Sequence, residues 1–114
     1  MSGLAGERVL MRVHIGERDR HRGLPLYEAI VALLRERHIA GATVLRGIMG
    51  FGATARVHTD KILQLSTDLP IVVECVDTQE QIDRVLPELD AMIGGGLITL
   101  EKVRVIVHRP DARA

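Results

Sequence analysis

The stretch Arg46-Gly-Ile-Met-Gly-Phe-Gly52 sets Gly47, Gly50 and Gly52 within six residues that otherwise read as sheet. Glycine inside a strand costs conformational entropy and packs nothing. It marks a bulge, a turn, or a place where backbone must approach a ligand. Without a Cβ in the way, successive N–H groups can form a nest for a phosphate or another anion. Gly94-Gly95-Gly96 raise the same possibility, because a helix stop needs only one glycine. Cations able to meet such an anion are Arg46, Lys102 and Arg104, with Arg56 and Lys61 in the polar run 53–68. Neither common phosphate motif is present. Gly52 is followed by Ala53-Thr54 where a phosphate loop has Gly-Lys-Ser/Thr, and there is no GxGxxG.

Other reactive residues form no constellation. The five histidines (His14, His21, His38, His58, His108) fit no metal spacing, and no cysteine joins them. His58 stands out only because it falls in the run 53–68. Glu28, Glu36, Glu74, Asp77 and Glu101 lie beside no credible nucleophile, so no catalytic residues are assigned. The lone Cys75 leaves no internal disulfide and reads as a small buried hydrophobe, consistent with a reducing cytoplasm.

Fifteen basic and fifteen acidic residues cancel, which removes any global field for nucleic acid or an anionic membrane. Tyr27 and Phe51 are the only aromatics, too few for base stacking. The start, Met1-Ser-Gly-Leu-Ala-Gly-Glu, lacks the basic and long apolar regions of a signal peptide, and no apolar run nears ~20 residues. A cytoplasmic protein of one domain over residues 1–114, with its core at about 7–107, is expected.

The elements that must position these residues come in two similar halves. Residues 8–15 alternate as a half-buried strand. The charged connection GERDRHRGLP leads to a helix opened by Pro25, with Leu26, Ile30, Leu33 and Leu34 as its stripe and Gly41 as its stop. Residues 41–52 return to strand. Ile71–Val76 form the next strand, and Thr78 with Gln81 resembles a capping box. Ile82, Val85, Leu86, Leu89 and Ile93 mark the second helix, which Pro87 should kink. Residues 97–107 form the last strand. The order βαββαβ with right-handed crossovers predicts an α+β, ferredoxin-like fold: a four-stranded antiparallel sheet with two helices on one face. The other face, expected to carry Leu10, Arg12, His14, Lys102, Arg104 and Ile106, is mixed enough to suit a subunit interface, with Arg12, Glu74 and Arg104 pairing across it.

Four segments, GERDRHRGLPLYEAIV (16–31), GATVLRGIMGFGATARVHT (41–59), DLPIVVECVD (68–77) and LDAMIGGGLITLEKV (89–103), together resemble the PII-like family of domain-of-unknown-function one-ninety. More distantly the chain is similar to the PII nitrogen-regulatory signalling proteins, through Gly41-Ala-Thr43 and Gly50-Phe51-Gly52. The resemblance implies a homotrimer binding an adenine nucleotide (AMP, ADP or ATP) in clefts between subunits. It implies Thr43, Arg46, Gly50, Phe51, Gly52, Gly94, Gly95, Gly96, Lys102 and Arg104 as nucleotide contacts. It also implies a loop, 53–68, that signals to a partner through Arg56, His58 and Lys61, with a membrane-transport protein as that partner. Three departures stand out. The interval from Gly41 to Gly50 is one residue longer than in PII proteins. Leu97 follows Gly96 where they carry a phosphate-binding lysine, which leaves that contact to Lys102, Arg104 or Arg56. Residues 53–68 contain no tyrosine to be uridylylated. The expected function is a nucleotide-sensing regulator without a cofactor or metal; the alternative is a small oligomeric enzyme acting on a small acid or nucleotide.

Overall fold

The structure is a computed structural model and describes residues 3–52 and 68–110. Its elements are β1 (Gly6–Gly16), β2 (Arg20–His21), β3 (Leu24–Pro25), α1 (Leu26–Glu36), β4 (Thr43–Arg46), β5 (Pro70–Asp77), α2 (Gln79–Met92) and β6 (Leu97–Val105). Four strands form an antiparallel sheet in the order β4-β5-β1-β6. That order, with a helix in each crossover, is the ferredoxin-like arrangement expected from βαββαβ. The alternation in β1 is realised: Val9, Met11, Val13 and Ile15 are buried, and the residues between them are half-buried. Ile71, Val73 and Cys75 of β5 share that face, and α1 and α2 cover it with Leu26, Ile30, Leu34, Ile82, Val85 and Leu89. Side chains of this size each contribute about 1.5–3 kcal/mol when fully buried.

The connection after β1 is more ordered than its charge predicts. β2 and β3 form a two-residue hairpin whose central residues, Arg22 (φ 50) and Gly23 (φ 84), are both left-handed, as a type I′ turn requires. α1 stops earlier than expected, and not at a glycine. His38 takes φ 63, its N–H donates to the Arg35 carbonyl, and the Ile39 N–H donates to that of Leu34. These are the two bonds of a Schellman motif, with buried Ile39 as its apolar plug. Gly41 is therefore not the stop.

α2 opens as its sequence predicts, with the Thr78 hydroxyl accepting from the Gln81 N–H at 3.2 Å. The Gln81 side chain does not complete a capping box. It reaches instead to the Arg37 and His38 carbonyls at the end of α1, 3.4 Å away in each case. α2 runs unbroken through Pro87. Pro87 and Asp83, the residue whose carbonyl loses its helical donor, are both exposed, so water can serve that oxygen. Buried Asp77 accepts from the Ala40 and Thr78 N–H groups at 2.9 and 2.7 Å, joining the approach to β4 to the start of α2.

β4 is shorter than the expected 41–52. It pairs only over Thr43–Arg46, and all four residues are exposed. The Gly47 N–H still donates to the Pro70 carbonyl at 2.7 Å, after which the chain leaves the sheet.

Candidate functional site

One end of the sheet gathers most of the glycines singled out in the sequence. β1 ends there at Gly16, β4 leaves there through Gly47–Gly52, β5 begins there at Pro70, and β6 begins there after Gly94–Gly96. The glycines divide into two kinds. A Cβ on Gly47 would stand 2.7 Å from Pro70 Cγ, and one on Gly50 3.1 Å from the same atom. A Cβ on Gly96 would stand 2.7 Å from the His14 carbonyl oxygen. Packing inside the chain explains these three. Gly52, Gly94 and Gly95 are different, because a Cβ on any of them meets no atom of the described residues within 4 Å. Gly94–Gly96 line an open depression of about 280 Å³ with Asp90, Ile93, Leu97 and Ile98. Phe51, beside Gly52, is 83% exposed.

The two glycine clusters frame this end from opposite edges, since β4 and β6 are the outer strands. Three strand spacings of about 4.8 Å separate those edges by roughly 14 Å. Arg46 sits at the β4 edge and pairs with Glu17, which follows β1. The Glu17 N–H donates to the Leu69 carbonyl at 2.8 Å, and the Arg18 N–H to Asp68 Oδ1 at 3.1 Å. The Gly16 N–H donates to Asp19 Oδ2 at 2.9 Å, and the Leu26 N–H to the Asp19 carbonyl at 2.7 Å. Residues 16–19 thus clasp the bases of β4 and β5 and lead into α1.

Lys102 and Arg104 are not part of this cluster. Lys102 pairs with Val9 and Arg104 with Glu7, near the opposite end of β1. At about 3.3 Å per residue, Lys102 lies roughly 20 Å along β6 from Gly96. The register also corrects their face. Directly paired residues share a face, so Lys102 and Arg104 lie on the side of Val9, which the helices cover, while Glu101 and Thr99 share the open face with Leu10 and Arg12. Ile106 lies beyond the end of β6. Thr43 is on the open face, opposite Glu74.

At the centre of that face Arg12 bridges three strands, its Nε 3.0 Å from Glu74 Oε2 and its Nη1 3.1 Å from Glu101 Oε1. The hydrogen bond to Glu74 leads in holding the guanidinium pKa above its ordinary value. Within the chain Arg12 and Glu74 thus pair with each other, and Arg104 is remote from both. Leu10, Val72, Val76, Leu45 and Leu97 surround this triad, the last two half exposed.

Arg56, His58 and Lys61 lie outside the described residues. Burial is the main cause that pushes the Cys75 thiol up to about 12, so it is a protonated core group. Among the described residues no group of three metal-ligating side chains occurs, and no helix is long and apolar enough to cross a membrane. A larger groove of about 820 Å³ runs along α1 past Tyr27, Val31, Arg35, His38 and Val44, and none of the predicted contacts lines it. Sequence reasoning missed Glu17, whose position in a charged run gives no sign that it meets Arg46.

The sequence profile of the DUF190 family, described as "Uncharacterized ACR", matches residues 8–105. A UPF0166 protein of Aquifex aeolicus is 41% identical over 97 residues, covering 85% of this chain and 91% of its own length. A UPF0166 protein of Methanocaldococcus jannaschii is 38% identical, covering 84% and 89%. Among solved structures, a protein of Thermus thermophilus described as PII-like aligns over 93% of this chain and 94% of its own, with a TM-score of 0.61 and 16% identity. CPII, a nitrogen regulatory PII-like protein of Thiomonas intermedia solved with ADP, AMP and bicarbonate, aligns over 87% and 88%, with a TM-score of 0.60 and 14% identity. The match across nearly the whole described core, in sequence to the first group and in fold to the second, places this chain in the DUF190 family, on the fold of the PII-like signalling proteins.

Proposed function

We propose that this protein is a PII-like regulator that binds an adenine nucleotide at the glycine end of its sheet, in clefts between the subunits of a trimer. The observation that carries this reading is the pair of glycine clusters at that end. Among the described residues, Gly52, Gly94 and Gly95 answer no packing need, so their missing Cβ atoms leave room for an outside group. Exposed backbone N–H groups there suit phosphate oxygens, and Arg46 supplies a nearby positive charge. CPII on the same fold was solved with ADP and AMP, which supports an adenine nucleotide as the ligand.

Two features support the proposed assembly. The open face combines half-exposed aliphatic side chains with an ion-paired Arg12, a surface suited to burial against copies of itself. Lys102 and Arg104 stand too far along β6 to meet a nucleotide at their own chain's glycine end. They join the site only if they come from a neighbouring subunit. Thr43 is exposed on edge strand β4, which supports its contact with a ligand shared with a neighbour. The bound state is then read by a partner, for which a membrane-transport protein is our proposal, through the segment carrying Arg56, His58 and Lys61. We read it as regulatory and not catalytic because a neighbour on this fold is described as a PII-like signalling protein.

Native mass spectrometry with AMP, ADP and ATP tests it. A mass of three chains retaining nucleotide, with the ligand recovered unchanged, is the expected result. A monomer that retains none would contradict it, and conversion of the nucleotide would favour an enzyme.

A further inference from the structure

Glu17 stands at a junction that the ligand reading leaves unexplained. Its carboxylate pairs with Nη2 of Arg46, the last residue of β4 before Gly47. Its backbone N–H holds the Leu69 carbonyl at 2.8 Å, just ahead of β5. The Glu17 side chain is 25% exposed and that of Arg46 57%. The anchoring backbone bond fixes Glu17 independently of its side chain, so the carboxylate can leave Arg46 without the connection coming apart. A guanidinium offers a phosphate the same planar fork that it offers a carboxylate. An anion approaching Gly50-Phe51-Gly52 and Arg46 therefore meets an internal carboxylate already on that cation.

We propose that Glu17 is a specificity-determining residue of the nucleotide site, an internal competitor that a phosphate must displace from Arg46. This inference rests on the adenine-nucleotide reading above. Glu17 offsets the charge of Arg46, and so selects for ligands whose phosphate groups bind Arg46 better than one carboxylate does. It should weaken binding of the phosphate part of the ligand and leave recognition of the nucleoside untouched. The structural alternative is that Glu17 only clamps the connection. In that case its loss would loosen the site for every ligand alike.

Calorimetric titration of ADP and adenosine into wild type, Glu17→Gln, Arg46→Gln and the double variant separates these. An exposed ion pair is worth about 0.2–1 kcal/mol, so its removal as a competitor should tighten ADP binding by up to about fivefold. Adenosine affinity should not move in Glu17→Gln, and in the Arg46→Gln background Glu17→Gln should have no further effect on ADP. If wild type binds ADP and Glu17→Gln binds it equally or more weakly, the inference is overturned and the nucleotide reading stands. A parallel change in ADP and adenosine would likewise leave only a clamp. If neither protein binds any adenine nucleotide, both readings fail. Binding that emerges only in Glu17→Gln would support the competitor.

Discussion

Arg37 meets Glu88 through two contacts of 2.8 Å, Nε to Oε1 and Nη2 to Oε2, so the C-terminal cap of α1 is forked onto the middle of α2. Arg37 also sits one residue before His38, whose left-handed conformation ends the helix. The fork therefore joins the two helices at the point where the chain turns toward the sheet.

The Arg37 hydrogen bond is the main cause that holds the Glu88 carboxyl below the usual carboxylate range. A lowered folded-state pKa gives stability that is present above the unfolded value of about 4.3 and is lost as pH falls through the folded value. Glu88→Gln should therefore be less stable than wild type at pH 7, and the difference should vanish well below pH 4. Urea denaturation at several pH values checks this. A difference that is the same at every pH would assign the loss to packing rather than to charge.

Much of this architecture is legible from residue spacing. The alternation Val9, Met11, Val13, Ile15 needs only one buried face, and Thr78 announces α2 through its hydroxyl. Less legible is anything set by long-range register. β6 reads Leu-Ile-Thr-Leu-Glu-Lys-Val-Arg-Val, with apolar residues on both faces, and a one-residue slip exchanges those faces. Only the pairing of Val9 with Lys102 shows that Lys102 and Arg104 turn to the helix side. The Glu17–Arg46 contact joins residues from different elements, and no local signal announces it. Gly41 resembles a stop for α1 because glycine is the usual left-handed residue, yet His38 accepts that conformation while Ile39 fills the core.

Cys75 should be inert in the folded protein. The thiol is buried in β5, and burial first, then the charges of Asp77 and Glu74, push it to about 12. An aromatic disulfide reagent at pH 8 should label it only as fast as the protein unfolds, and rapidly in urea. The sign in alkali follows: the unfolded thiol ionises from about 8.5, so the folded state loses stability as pH rises from there toward 12. Rapid labelling under native conditions would show that β5 opens to solvent.

Glycines at the ligand end should separate by cost. Gly96→Ala forces a Cβ to 2.7 Å from the His14 carbonyl, and backbone cannot yield as a flexible side chain does. A loss of about 1–3 kcal/mol is expected, as for other overpacked sites. Gly94→Ala and Gly95→Ala meet no atom of the described residues and should change stability far less. Thermal or urea unfolding of the three variants tests this ordering. Equal losses would mean that the whole triplet serves the fold.

The central claim is that an outside ligand occupies the space left by these unpacked glycines, and calorimetry of adenine nucleotides with wild type and Gly52→Val tests it most directly. A Cβ at position 52 meets no atom of the described residues, so Gly52→Val should keep its fold and oligomeric state. Wild type should bind AMP, ADP or ATP, and Gly52→Val should lose that binding because valine fills the approach to the backbone N–H groups. If Gly52→Val binds these nucleotides as wild type does, the glycines serve the turn alone and the ligand site lies elsewhere.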